Sequence, residues 1–86
     1  MQLLTGTVRF VTEDRRRAVV QVMGGGYSIL DIRGTRMPEQ GERVFGRLKQ
    51  LGLVDVDGPK GTTPLAVVVE AVELSAEEAL IRVRRT

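Results

Sequence analysis

The sequence predicts an all-β domain, five antiparallel strands closed into a small barrel, followed by a short C-terminal tail. Three observations predict it. Between Gly6 and Ile32, three successive runs alternate β-branched or apolar residues with polar ones at period two. Those runs are joined by Glu13-Asp14 and Gly24-Gly25-Gly26, connections far too short to hold a crossover helix. A third signal is the continuous run Leu65 to Val72, which suits a central strand buried on both sides.

The first strand covers residues 1 to 12, with Val8 and Phe10 alternating against Thr7 and Arg9. Gly6 marks a bulge or bend of the kind a barrel needs where a strand turns a corner. Glu13 to Arg16 is too polar to bury. The second strand, residues 17 to 23, sets Ala18, Val20 and Val22 on one face and Arg17, Val19 and Gln21 on the other. The third, residues 27 to 32, opposes Leu30 and Ile32 to Ile29 and Asp31. The triple glycine between them supplies the positive φ angles of a tight turn. A phosphate-cradling loop is disfavoured, because no Gly-Lys-Ser/Thr follows and no helix begins there.

Residues 33 to 41 are irregular, punctuated by Gly34, Pro38 and Gly41, and carry the chain across the barrel. Residues 42 to 50 read as the fourth strand, with Val44, Gly46 and Leu48 on one face and Phe45, Arg47 and Lys49 on the other. Leu51-Gly52-Leu53 breaks that pattern, and Val54 to Gly61 is a short extended piece followed by a loop. Asp55 and Asp57 have neither a third acidic ligand nor a closing glutamate, so a turn is expected there and not a calcium loop. The fifth strand starts at Leu65. Beyond it, Ser75 and Glu78 match a capping box, and Ala76, Ala79, Leu80 and Val83 share one helical face. Glu78 and Arg82 are spaced for an i,i+4 pair. The rival reading is an alternating strand through Ile81-Arg82-Val83-Arg84. Residues 1–74 are thus the barrel domain, and 75–86 a tail that forms a short helix or an extra strand.

Composition narrows the chemistry. Eighty-six residues support one modest core. The chain has no cysteine and no histidine, which removes disulfides, thiolate metal sites, the commonest general base and the commonest metal ligand. No metal and no cofactor are expected. Asp31, Asp55, Asp57, Lys49 and Lys60 show no catalytic spacing, so the protein is read as non-catalytic. The N-terminus lacks a signal-peptide pattern, and no window is long and apolar enough to span a membrane. A cytoplasmic location is expected. Thirteen basic residues face eleven acidic ones, and eleven of the thirteen are arginine. Net charge is therefore only +2, and what matters is clustering, at Arg15-Arg16-Arg17, at Arg43, Arg47 and Lys49, and at Arg82, Arg84 and Arg85.

Gly6-Thr7-Val8-Arg9-Phe10 is similar to the Gly-x-Val-Lys-Trp that opens the cold-shock domain, a five-stranded barrel of the OB-fold type. Pro38-Glu39-Gln40-Gly41-Glu42-Arg43-Val44 resembles its turn into the fourth strand. Gly58-Pro59-Lys60-Gly61, followed by Ala66-Val67-Val68, resembles its last loop and strand. The resemblance covers roughly residues 5 to 72 and implies an OB-like barrel that binds single-stranded RNA or DNA. Its departures fall where that function would lie. The family's two stacking aromatics on the second strand become Arg17 and Val19, and the third strand carries neither Phe nor His. Only Phe10 keeps a matching position. Each base stacked on an aromatic platform is worth roughly 1–3 kcal/mol, so losing two or three weakens binding by about 3–6 kcal/mol.

Two functions follow as expectations. One is weak, salt-sensitive binding of single-stranded nucleic acid through an arginine-rich face made of Arg9, Phe10, Arg15, Arg16, Arg17 and Tyr27. The other is a protein–protein or self-association module with no nucleic-acid role, using Val19 and Val11 as an outward apolar patch, or pairing through the strand edges and the tail.

Overall fold

Residues that alternate in sequence need a partner on each side before they become a sheet, and the chain closes on itself to provide one. The computed structural model describes residues 3–60 and 62–85; the expected strand start at residues 1 and 2, Gly61 of the loop and Thr86 of the tail lie outside them. In chain order the elements are β1 (Leu4–Thr12), β2 (Arg17–Val22), β3 (Tyr27–Ile32), β4 (Arg43–Gly46), β5 (Gly52–Asp57), β6 (Leu65–Leu74) and α1 (Ala76–Arg85). The strands form a closed antiparallel barrel in the order β1-β2-β3-β6-β5-β4, consistent with an OB-like architecture. Closure gives each strand a neighbour on both sides, although β4 and β5 pair only at Phe45↔Asp57 and Gly46↔Val56 and leave the start of β5 unpaired on that side.

The strand count is six, not five. β5 pairs with β6 from Gly52↔Val69 to Val56↔Leu65, and with β4 at Phe45↔Asp57 and Gly46↔Val56. Val54 and Val56 point inward and Leu53, Asp55 and Asp57 outward, so the region read as a short piece and a turn is a full strand. β4 is correspondingly shorter than expected. It ends at Gly46, and Arg47 to Gln50 turns, with the Gln50 N–H donating to the Arg47 carbonyl at 3.1 Å. Leu48 stays fully buried, and its carbonyl accepts the Ser28 hydroxyl at 2.7 Å.

The barrel interior holds Val8, Ala18, Val20, Val22, Leu30, Ile32, Val44, Leu48, Val54, Val56, Leu65, Val67 and Val69. Gly6 is buried in its wall. A Cβ there would lie 2.4 Å from Val20 Cγ1 and 2.9 Å from Leu48 Cδ1, so only glycine lets β1 pass this close. The bulge expected near Gly6 falls instead at Arg9, where Val8 opposes Val20 but Phe10 opposes Val19. The extra residue reverses the alternation. Phe10 therefore faces out and Val11 packs inward, the opposite of the period-two expectation for both.

Irregular register on β6 does the same, pairing Leu30 with Val69 but Ile29 with Ala71. The two irregularities gather Val19, Ile29, Ala71 and Leu74 outside the barrel, beneath Ala79 and Val83 of α1. Val19 is thus covered by the chain's own helix and is no free patch. Nor is β6 buried on both sides along its length: Ala66 and Val68 are half-buried outside the barrel, and Glu70 is exposed.

The tail is a helix, and its start is set by the capping box. The Ser75 N–H donates to Glu78 Oε1 at 3.0 Å, and the Glu78 N–H donates to Ser75 Oγ at 3.1 Å. The bond from the Ser75 backbone, followed by the contact with its hydroxyl and the charge of Arg82, holds the Glu78 carboxyl below the ordinary value of 4.5. A lowered folded value means this contribution is present above the ordinary value and is lost as pH falls through the folded one. Helical signal is therefore expected to weaken below about pH 4.5. Ser75→Ala is expected to lower helix stability by about 1 kcal/mol at neutral pH and to reduce that pH dependence in circular dichroism only in part, since the backbone N–H at position 75 still donates to Glu78.

Candidate nucleic-acid interface

The bulge in β1 and the docking of α1 together make a cleft on the barrel wall. Phe10, turned outward by the bulge, and Tyr27, at the start of β3, stand on the sheet side. Ala76, Leu80 and Arg84, spaced by four and so stacked along one helical face, form the other side. Val19 is the floor, and the whole encloses about 320 Å³ between Arg9, Phe10, Val19, Tyr27, Ala76, Leu80 and Arg84. Arg9 is exposed in the bulge, and its Nε donates to Gln21 Oε1 at 2.8 Å. The result is a largely apolar slot with guanidinium groups at its rim. Such a site accepts a flat ring while its cations meet an attached anion.

Of the six residues expected to act together, the cleft unites Arg9, Phe10 and Tyr27. The arginine triplet is engaged elsewhere. Arg15 Nη1 donates to the carbonyls of Val83 at 3.3 Å and Arg84 at 3.0 Å, closing the C-terminal end of α1. Arg16, held at a φ of 54°, donates through Nε to the Ile32 carbonyl at 3.3 Å and through Nη2 to that of Gly34. Arg17 Nε lies 2.9 Å from Glu70 Oε1, across the barrel wall on β6. These three side chains hold β2, β3, β6 and α1 together.

Arg84, Ala76 and Leu80 were not among the expected site residues. Their four-residue spacing was visible, but nothing local said which sheet face the helix would cover. A second cleft of about 320 Å³ adjoins the first through Tyr27 and runs past Gln21 and Thr7 to the glycine turn. That turn is tight, with the Val22 N–H donating to the Gly26 carbonyl at 3.0 Å.

The linings of the two clefts include no carboxylate. Elsewhere on the exterior, Asp31 pairs with Arg33 at 3.2 Å and Glu73 with Lys49 at 3.5 Å, while Asp55 and Asp57 project from β5. On the far wall, β4 stops before β5 does, and Leu3, Arg47, Gln50, Leu53, Val54 and Asp55 surround an opening of about 460 Å³. Leu3 and Leu53 are 55% and 71% exposed there. Among the described residues, no helix is long and apolar enough to cross a membrane.

No family model matches the chain, and neither a curated protein nor a solved structure shows significant similarity to it.

Proposed function

We propose that this barrel is a non-catalytic module that binds single-stranded nucleic acid, weakly and with strong salt dependence. One observation carries the reading: an open slot with two aromatic rings in its lining and two arginines, Arg9 and Arg84, at its rim. A base entering it would lie against Tyr27 and Phe10, and its flanking phosphates would meet the two guanidinium groups. The likeness of Gly6 to Phe10 to the cold-shock opening motif supports the same reading, since Phe10 is the one stacking position retained. The arginine triplet has no part in it, because its members are engaged within the fold. Affinity is correspondingly modest.

Tyr27 offers a direct test, being the only tyrosine in a chain without tryptophan. Adding oligothymidylate or oligouridylate at low salt is expected to quench its emission, and the two polymers separate DNA from RNA. The two cleft arginines together should contribute about −1.4 to the slope of log affinity against log salt. Arg84→Gln should remove half of that contribution. Unchanged emission at low salt with every oligonucleotide would refute the proposal.

The exposed leucines at the opening beside β5 favour a second reading, self-association through Leu3 and Leu53. It predicts no Tyr27 quenching and a mass in light scattering that rises with concentration.

A further inference from the structure

We infer that the nucleic-acid contact continues from the cleft across the barrel wall to β4, where Phe45 adds a third aromatic platform and Arg43 a third phosphate contact. The inference rests on the reading of the cleft given above. Strand register supplies the path. Tyr27 is opposite Gln21, Gln21 opposite Thr7, and Thr7 opposite Arg43, one unbroken row across four strands. Phe45 stands in the next row, opposite Thr5. Three inter-strand steps separate Tyr27 from Arg43, about 14 Å along the wall. That reach suits a short oligonucleotide and exceeds a single base.

The chemistry of the row fits a polyanion. Its middle members, Thr7 and Gln21, are neutral hydrogen-bonding groups, and Arg9 leans onto Gln21 at 2.8 Å. Arg43 forms no ion pair or side-chain hydrogen bond with any described residue. Phe45 is 44% exposed, an aromatic ring left on the surface beside that free cation. Asp57, opposite Phe45 on β5, sets the limit: a phosphate chain is repelled beyond β4, so the track ends there.

The test uses the full chain and Tyr27 emission, with thymidine dinucleotide and octanucleotide as probes. Wild type should bind the octanucleotide at least about tenfold more tightly than the dinucleotide. Phe45→Ala should weaken the octanucleotide about fivefold or more and leave the dinucleotide unchanged, since only the longer ligand reaches β4. Arg43→Gln should reduce the octanucleotide's salt slope by about 0.7 and again spare the dinucleotide. Both side chains are exposed, and circular dichroism checks that the variants fold. If both variants bind both ligands as wild type does, or weaken them equally, the track to β4 is wrong while the cleft reading stands. If neither ligand quenches Tyr27 in wild type, both fail.

Discussion

Ala79→Asp is expected to detach α1 while the barrel stays folded. Ala79 is fully buried, enclosed between α1 and the outer cluster of Val19, Ile29, Ala71 and Leu74. A carboxylate there is both too large for the space and stripped of water, at a cost of several kcal/mol. Helix docking cannot offset that. Burial of Val83, Ala79 and part of Leu80 contributes roughly 4 kcal/mol, reduced by the ordering of the tail. Once released, a helix of ten residues is too short to persist in water. Helical signal should vanish, amides of residues 76–85 should exchange rapidly, and an apolar dye should bind the uncovered Val19 and Ile29. No α1 residue belongs to the interior cluster, so the β signal should remain. The cleft loses a wall, and with it the Tyr27 response to oligonucleotides. Complete unfolding would show instead that the two clusters act as one cooperative unit.

That separation between barrel and helix also divides what the sequence made legible from what it did not. Period two is a local property. It assigned Ala18, Val20, Val22, Leu30 and Ile32 to the interior, and each is buried there. The capping box spans four residues and was equally readable. By contrast, the bulge at Arg9 exists only relative to β2, and no residue type in β1 announces it. Without it, alternation sets Phe10 beside Val8 on the inner face, against its expected place in the binding face, and puts Val11 outside. β5 was obscured because Gly52 interrupts the alternation before Val54 and Val56 resume it.

The arginines show the limit most clearly. A triplet in sequence looks like a basic patch, yet Arg15 reaches carbonyls 68 and 69 residues away, and Arg17 a carboxylate 53 residues away. Charge that has found an internal partner is not available to a ligand, and which charges have done so depends on topology. Arg43, in the less conspicuous cluster, and Phe45 stay exposed because both fall on the outward face of β4, opposite Thr7 and Thr5.

Gly26→Ala should be the most damaging change in the glycine turn, and Gly24→Ala isolates the reason. Both glycines have positive φ, 99° at Gly24 and 81° at Gly26, where an alanine is strained by about 1–2 kcal/mol. A Cβ on Gly24 would meet nothing within 4 Å. On Gly26 it would lie 2.9 Å from the Cα of Glu73, backbone that cannot swing aside as a side chain would. Glu73 is itself at a φ of 55°, so the β2–β3 turn rests against a kink in β6 that is already constrained. Displacing it adds about 1–3 kcal/mol, for a total near 3 kcal/mol, or a fall of roughly 12–24 °C in Tm. Tyr27 follows Gly26 and pairs with Leu74 beside Glu73, so the same displacement must move the aromatic wall of the cleft. The tyrosine emission of folded Gly26→Ala should therefore differ from wild type, and that of Gly24→Ala should not. Equal losses of Tm in the two variants would mean that φ alone sets the requirement and that the turn does not lean on β6.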